Sequence, residues 1–319
     1  MAFRFSLRFL LGLTFVGAVV LLLAYNHYTN LSPKRLATEL RRHGARPIVL
    51  EYDAGFHTVE KELTVEYLTE PNEYAPLVGL RFDEVKSSRA IFLASQVPNL
   101  TTLDVRSPEA GVSPKHCDFS HLESLTLAGF DEPQLEAWLR VADQLDVLHL
   151  FGVDQITTGS YRSIGSAKTL TYLSLRGVDL SPEDLAQLSV LPNLRHLSLA
   201  DCRIHVDAYA EFNRFPGLDS LSLSGKTYND ATVDDVAGLR RITDLSFEDT
   251  MITDRGVKKL ATMSHLRDLS LYGSQQITED CIPDLLKMDS LDWLNLLATP
   301  IEEHPKLERL SGIMMEWIL

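Results

Sequence analysis

Leucine recurs along the chain in the frame L-x-x-L-x-L, with intervals of 22 to 25 residues between successive frames. The leading positions are Leu77, Leu100, Leu122, Leu145, Leu170, Leu194, Leu218, Ile242, Leu266 and Leu291. Within each frame apolar and polar residues alternate, which is the period of a strand with one face buried. The stretch after each frame reads as a helix or an irregular return. Ser181-Pro182-Glu183-Asp184 looks like a capping box leading into Leu185, Leu188 and Leu191, and Thr253-Asp254-Arg255-Gly256 leads likewise into Val257 and Leu260. Strand and helix in constant alternation predict a parallel sheet with helices on its outer side. A fixed period in this range predicts a curved α/β solenoid, in which each unit buries its apolar face only against its neighbours. Ten strands about 4.8 Å apart would make a sheet roughly 45 Å long.

Two segments break the frame. Residues 26–76 predict a cap over the open start of the solenoid. In it, Ser32-Pro33 would begin a helix carrying Leu36 and Leu40, Gly44 would end it, and Ile48 to Leu50 and Leu63 to Leu68 would be short strands. Residues 77–301 carry about ten repeats. Residues 302–319 predict a second cap, with a short helix over Pro305 to Leu310 and a terminal strand from Ile313 to Leu319 whose Met314, Met315, Trp317 and Ile318 cover the last core. The frame is weakest between 100 and 145. Val105 stands where Leu is expected, and Pro108 and Pro114 occupy the return, so irregular units are predicted there.

The best units are LRHLSLADCRI (Leu194 to Ile204), ITDLSFEDTMITDRGVKKL (Ile242 to Leu260) and LDWLNLLATPI (Leu291 to Ile301). They resemble the leucine-rich repeat family, in the variant with Cys, Asn or Thr after the strand followed by I-T-D-x-G-V. The resemblance covers about three quarters of the chain. It implies a horseshoe with the parallel sheet on the concave face and helices outside. The order of basic tail, apolar segment, helix-Gly-strand and repeats is similar to membrane-anchored bacterial leucine-rich repeat proteins of unknown function. The same repeat variant occurs in substrate-recognition subunits of ubiquitin ligases, a remote alternative because those carry an additional adaptor-binding module that residues 26–76 do not resemble.

Charge and hydropathy add a location. Arg4 and Arg8 form a basic n-region in residues 1–8, and residues 9–25 are an uncharged run at the lower edge of the length a membrane-spanning helix needs. The run lacks small residues at a cleavage position, since Leu22-Leu23-Ala24 is a poor match, so an uncleaved transmembrane signal anchor is expected and a cleaved signal peptide is the rival. The short tail argues for N-terminus inside and repeats on the extracytoplasmic side, whereas Lys34, Arg35, Arg41 and Arg42 on the other flank argue the opposite way. The first 25 residues hold two of the 30 basic residues and none of the 44 acidic ones. The remainder is strongly acidic and should repel phosphate backbones, so nucleic acid is not an expected partner.

Chemistry-bearing patterns are sparse. Cys117, Cys202 and Cys281 are odd in number and widely spaced, which does not fit a disulfide framework, and Cys202 occupies the slot after the strand where a buried structural thiol is expected. His116-Cys117-Asp118 with His121 is the densest ligand-like group, but His121 falls at the position before a leading leucine, which the repeat itself explains. No nucleophile elbow, zinc-protease motif, P-loop or dinucleotide-binding loop occurs in a strand–helix context, so no enzyme, metal or cofactor is expected.

The outward strand positions are more informative. One column runs Arg81, Asp104, Thr126, His149, Ser174, Ser198, Ser222, Ser246, Ser270, Asn295, a floor of small hydroxyls over its middle. Flanking columns hold Tyr172, His196 and Trp293 on one side and Phe151, Arg176 and Tyr272 on the other, the residue types that protein interfaces concentrate. Asp244, Glu248, Asp249 and Asp268 form an acidic stretch between two aromatic groups. These residues predict a non-enzymatic module that binds a protein or peptide on its concave face. The candidate contacts are His149, Phe151, Tyr172, Arg176, Arg195, His196, Tyr272 and Trp293. The alternative is a structural, self-associating component of the cell envelope.

Overall fold

Each L-x-x-L-x-L frame forms a short parallel strand stacked on the frame before it. A computed structural model describes residues 33–52, 58–62, 78–97, 100–152, 156–301, 304–305, 307 and 314–315. The anchor expected at residues 9–25 and the strand expected at Leu63 to Leu68 lie outside the described residues, as do Leu77, Trp317 and Ile318. Among the described residues no helix is long and apolar enough to cross a membrane.

The first described element is helix α1 (Pro33–Arg42), followed by β1 (Ala45–Tyr52) and β2 (Thr58–Glu62). Leu36 and Leu40 turn inward, and Gly44 ends the helix at φ +78°. Strand β1 pairs antiparallel with β2 on one side and with β3 (Val78–Phe82) on the other, so this hairpin closes the start of the stack. The apolar pattern of the sequence does not predict strand β2. From β3 onward every pairing is parallel, through β4 (Leu100–Arg106), β5 (Ser124–Ala128), β6 (Val147–Phe151), β7 (Tyr172–Arg176), β9 (His196–Ala200), β11 (Ser220–Ser224), β12 (Asp244–Glu248), β13 (Asp268–Ser270), β14 (Trp293–Asn295) and β15 (Met314–Met315). Two-residue strands β8 (Asp179–Leu180) and β10 (Arg203–Ile204) pair with each other beside the main sheet. The described chain is thus a leucine-rich-repeat-like α/β solenoid with eleven parallel strands in one sheet.

On the other side of the sheet lie α2 (Ser88–Ala94), α3 (Glu132–Val141), α4 (Thr158–Ile164), α5 (Pro182–Leu188), a 3-10 helix (Val206–Arg214), α6 (Asp230–Val236), α7 (Asp254–Leu260) and, after a short 3-10 turn, α8 (Ile282–Leu285). The irregular region expected between 100 and 145 is shorter than predicted. The return between β4 and β5 has no helix, but β5 and α3 are regular. Asp131 and Gln134 bond each other's backbone N–H in a capping box, with Pro133 in the first turn, and this starts α3 firmly. Neighbouring helix starts are also stitched together: the Thr253 and Thr278 hydroxyls each donate at 2.6 Å to the first-turn carboxylate of the preceding repeat, Asp230 and Asp254. Packed helices need about 8–10 Å between axes, while strands need only about 4.8 Å. The stack therefore bends with the sheet inside.

The core runs the length of the molecule as one continuous cluster. Leu194, Leu197 and Leu199 meet Leu218, Leu221 and Leu223, and these meet Ile242, Leu245 and Phe247, all buried and in register. Truncating one such leucine to alanine opens a cavity costing about 2–5 kcal/mol. Cys202 is buried after β9 with its thiol 3.3 Å from the Ala200 carbonyl and 3.5 Å from that of Leu175, and burial pushes its pKa up. It is a structural thiol.

A second regularity sits seven residues after nine of the ten leading positions, from Leu100 to Leu291. Ser107, Gly129, Gly152, Gly177, Asp201, Gly225, Asp249, Gly273 and Ala298 all have positive φ. Most of their N–H groups extend the ladder by one rung, as Gly177 to Ala200, Asp201 to Ser224 and Gly225 to Glu248, at 2.8 to 2.9 Å. The chain then swings off the sheet. Two of these positions separate conformational from steric demand. At Gly225 φ is +109° and an added Cβ would lie 2.1 Å from the Asp201 carboxylate, whereas at Gly177 φ is +71° and the space is open. Gly177→Ala should therefore cost only the left-handed penalty of about 1–2 kcal/mol. Gly225→Ala should cost more, because its φ lies further from the left-handed basin and the exposed Asp201 carboxylate must also move aside. The loss is read as a lower midpoint in urea unfolding; equal losses at the two sites would remove both added costs.

Candidate functional site

The sheet face of each strand presents three outward side chains, and parallel register lines them up into columns. Strands β5, β6, β11 and β12 show the alternation directly, with buried residues at the second and fourth positions and half-buried ones between. His149 pairs in register with Ser174, Val147 with Tyr172, Phe151 with Arg176, and Tyr172 with His196. Residues far apart in sequence thereby share one surface.

Four of the predicted contact residues come together as a row of rings. The Phe151 and His149 rings are 6.0 Å apart, His149 and Tyr172 5.3 Å, and Tyr172 and His196 6.1 Å. These separations fall in the range of favourable aromatic contacts. Burial holds the His149 imidazole below its usual 6.5, and the Asp104 carboxylate across two strands opposes that shift. A neutral His149 belongs to the apolar row rather than to a basic patch.

The arginines depart from the predicted cluster. Arg176 reaches Asp201 at 3.3 Å. Arg195 precedes β9 and sits on the rim, paired with Asp219 at 2.8 Å, because its position points along the edge of the sheet rather than over it. Both pairs are solvent-exposed and contribute little to stability. Tyr272 and Trp293 are half-buried near the far end of the sheet, five strand steps from the Tyr172 strand for Trp293, so the eight residues form two groups and a rim arginine.

The acidic stretch also divides. Asp244 and Asp268 face each other in register on β12 and β13. The Ser220 hydroxyl donates to Asp244 at 2.8 Å, and the Ser246 hydroxyl donates to Glu248 at 2.9 Å. Asp249 leaves the group: it occupies a left-handed turn position, φ +53°, against Gly273. Burial raises the Asp244 pKa, with Asp219 adding to the rise and Ser220 and His196 opposing it. Burial also raises that of Asp268, reinforced by Asp244 and Asp292 and opposed by Arg267.

Sequence reasoning missed a third group at the start of the face. Asp104 is buried and clamped by two guanidinium groups, Arg81 Nε at 2.7 Å and Arg106 at 2.8 and 3.0 Å. The signal was present in the central column, where Arg81 and Asp104 are register partners and Arg106 lies two residues on. Pairing of this kind adds little net stability, because desolvation of the buried carboxylate offsets much of the attraction. Among the described residues no group of three potential ligands stands close enough to hold a metal ion. A cleft of about 350 Å³ lies on the helical side, lined by Val206, Tyr209, Asn213, Asp235 and Leu239 among others, away from the sheet face.

No family model matches the chain, and no curated protein matches it. Among solved structures it is similar to one titled as the crystal structure of a TLR13–ssRNA13 complex, at 15% identity and a TM-score of 0.39. The match covers 75% of this chain and 38% of that one, so this chain spans well under half of that protein's length. A likeness this distant carries no argument about ligand, and the repeat architecture rests on the strand register described above.

The carboxylate pair has a measurable consequence. A folded-state pKa above the ordinary 3.8 means that the folded chain holds protons which the unfolded chain has released. Stability is then lost as pH rises from about 3.8 through the raised values. The double substitution Asp244→Asn, Asp268→Asn should accordingly stabilise the chain at pH 7 by on the order of 0.5 kcal/mol, the scale of relieved like-charge opposition between strands. The gain should shrink as pH approaches 3.8. Urea unfolding at pH 7 and pH 4 reads both values, and a gain that is larger at pH 4 would contradict the assignment.

Proposed function

We propose that this chain is a non-enzymatic, membrane-anchored binding module that engages a protein or peptide on its concave sheet face. The observation that carries the reading is the row of rings from Phe151 through His149 and Tyr172 to His196, half-exposed across three adjacent strands. Grouped aromatics on a surface are a contact patch, since solvation of the group costs more than that of single side chains. The neighbouring floor of Ser174, Ser198 and Ser222 is low enough for a partner's backbone to approach closely. A shallow open sheet suits a polymer laid across it better than it suits a reaction needing enclosure. The acidic body disfavours nucleic acid as that polymer.

Tyr172 is the expected anchor, flanked by rings on both sides, with Arg176 at the margin. Full-length chain carrying Tyr172→Ala and Arg176→Ala should capture its partner at least ~2 kcal/mol more weakly, the hot-spot scale. Its stability should fall by no more than the Tyr172 ring contacts contribute, about 0.5–1.5 kcal/mol each, since the Arg176 pair is exposed and adds little. Undiminished capture by the double variant would shift attention to Tyr272 and Trp293.

The anchor reading rests on residues 9–25, with the repeats placed on the extracytoplasmic side. The chain should stay with membranes through high-salt and carbonate washes. Recovery of a mature protein beginning near Tyr25 or Asn26 would turn the anchor into a signal peptide and leave an exported, unanchored module.

A further inference from the structure

Beyond the aromatic row, the same face carries a charge arrangement that the fold does not need. Along one column, successive strands present His196, Ser220, Asp244, Asp268 and Trp293 in register. Like charges placed directly opposite on neighbouring strands oppose folding. Here the opposition is relieved in part by the Ser220 hydroxyl, which donates to Asp244, and by the neighbouring charges of His196 and Arg267, neither of which pairs with either carboxylate. Arg267, next in sequence to Asp268, is turned to the rim and pairs with Asp292 at 3.0 Å. Among the described residues neither Asp244 nor Asp268 makes a salt bridge. The half-buried indole of Trp293 stands beside Asp268 as its register partner.

Carboxylates flanked by an aromatic wall match one chemistry well. A guanidinium can donate in bidentate fashion to carboxylate oxygens and stack its plane on an indole. An ammonium satisfies the charge but not the stacking or the fork geometry. Spacing then constrains what carries the guanidinium. Tyr172 lies three strand steps from Asp244 and four from Asp268. At about 4.8 Å per step this is roughly 14–19 Å, the reach of about four to six residues of extended chain.

We propose that the concave face takes an extended, arginine-bearing segment of a partner protein. Its guanidinium sits between Asp244, Asp268 and Trp293, and an apolar side chain four to six residues away lies on Tyr172 and His149. The proposal rests on the concave-face reading and adds the partner's chemistry to it. The net acidity of the repeat body steers such a segment towards the face, and the carboxylate pair fixes its position along the stack.

The test uses full-length chain in detergent and a fluorescein-labelled synthetic peptide with Phe and Arg five positions apart in a Ser/Gly background. Matched peptides replace Arg by citrulline, replace Arg by Glu, or place Phe and Arg side by side. In fluorescence anisotropy the parent peptide should bind at least tenfold more tightly than each of the three. Asp268→Asn and Asp244→Asn should each weaken the parent peptide about tenfold and leave the citrulline peptide unchanged, while melting no lower than the unsubstituted chain. Equal binding of the arginine and citrulline peptides, or an undiminished response of Asp268→Asn, overturns the proposal. If Tyr172→Ala still abolishes binding in that case, only the cation seat is wrong; if it too has no effect, the concave-face reading falls as well. Displacement of the peptide by millimolar Ca²⁺ at constant ionic strength, or by self-association of the chain, overturns the proposal by giving the seat to a metal ion or a second copy.

Discussion

No repeat in this chain can bury its own leucines; each depends on the repeat before and after it. That dependence requires every unit to enter and leave the sheet at the same point, or the next row of leucines slips out of register. From the second repeat onward, the left-handed residue seven positions after the leading residue enforces the exit. Its positive φ recurs from Ser107 through Ala298, and at most of these exits its N–H extends the ladder by one rung before the chain turns away. Where two successive exits crowd, an Asp in one is matched by a Gly in the next, as with Asp201 and Gly225 or Asp249 and Gly273. The helices tolerate more variety, including a 3-10 segment at Val206–Arg214, because they need only cover the outer side of the core.

The same constraint builds the outward face of the sheet. Register held by the core places outward side chains in columns, so a surface can be composed from residues scattered over the sequence. The rings of His149, Tyr172 and His196 come from three strands and touch only because Leu148, Leu173 and Leu197 are locked in line beneath them. The carboxylates of Asp244 and Asp268 are held opposite each other by the same rungs. A fold this strongly specified in its core can carry an unfavourable charge pair on its surface.

Much of the fold was legible because its determinants are periodic. Ten leading positions predicted ten parallel strands, and the strands from β3 to β14 stand where those frames lie. The capping helix with Leu36, Leu40 and Gly44 was legible for a different reason, a local start and stop signal. Strand β2 was not, because an antiparallel return with no apolar alternation leaves no mark on the sequence. The full helix α3 was not legible because Pro108 and Pro114 break the pattern just before it, and their effect ends ahead of the Asp131 cap. At the candidate site the columns were readable, and so were the aromatic partners. Direction within the rim was not readable from the columns: Arg195 is next to His196 in sequence, yet it pairs with Asp219 off the sheet face. Nor does a column show that Asp249 turns away while Asp244 stays. The clamp of Arg81 and Arg106 on Asp104 escaped because it joins two strands and only register brings its members together.

If the proposed function holds, the partner meets the sheet face and not the helical side. Photo-crosslinking in the source cells tests this whatever the partner's identity. A benzophenone amino acid replaces Tyr172 in one variant and Lys258, exposed on α7, in the other. The account predicts a discrete adduct from the Tyr172 position and none from Lys258. Adducts from Lys258 alone, or equally from both, would contradict it.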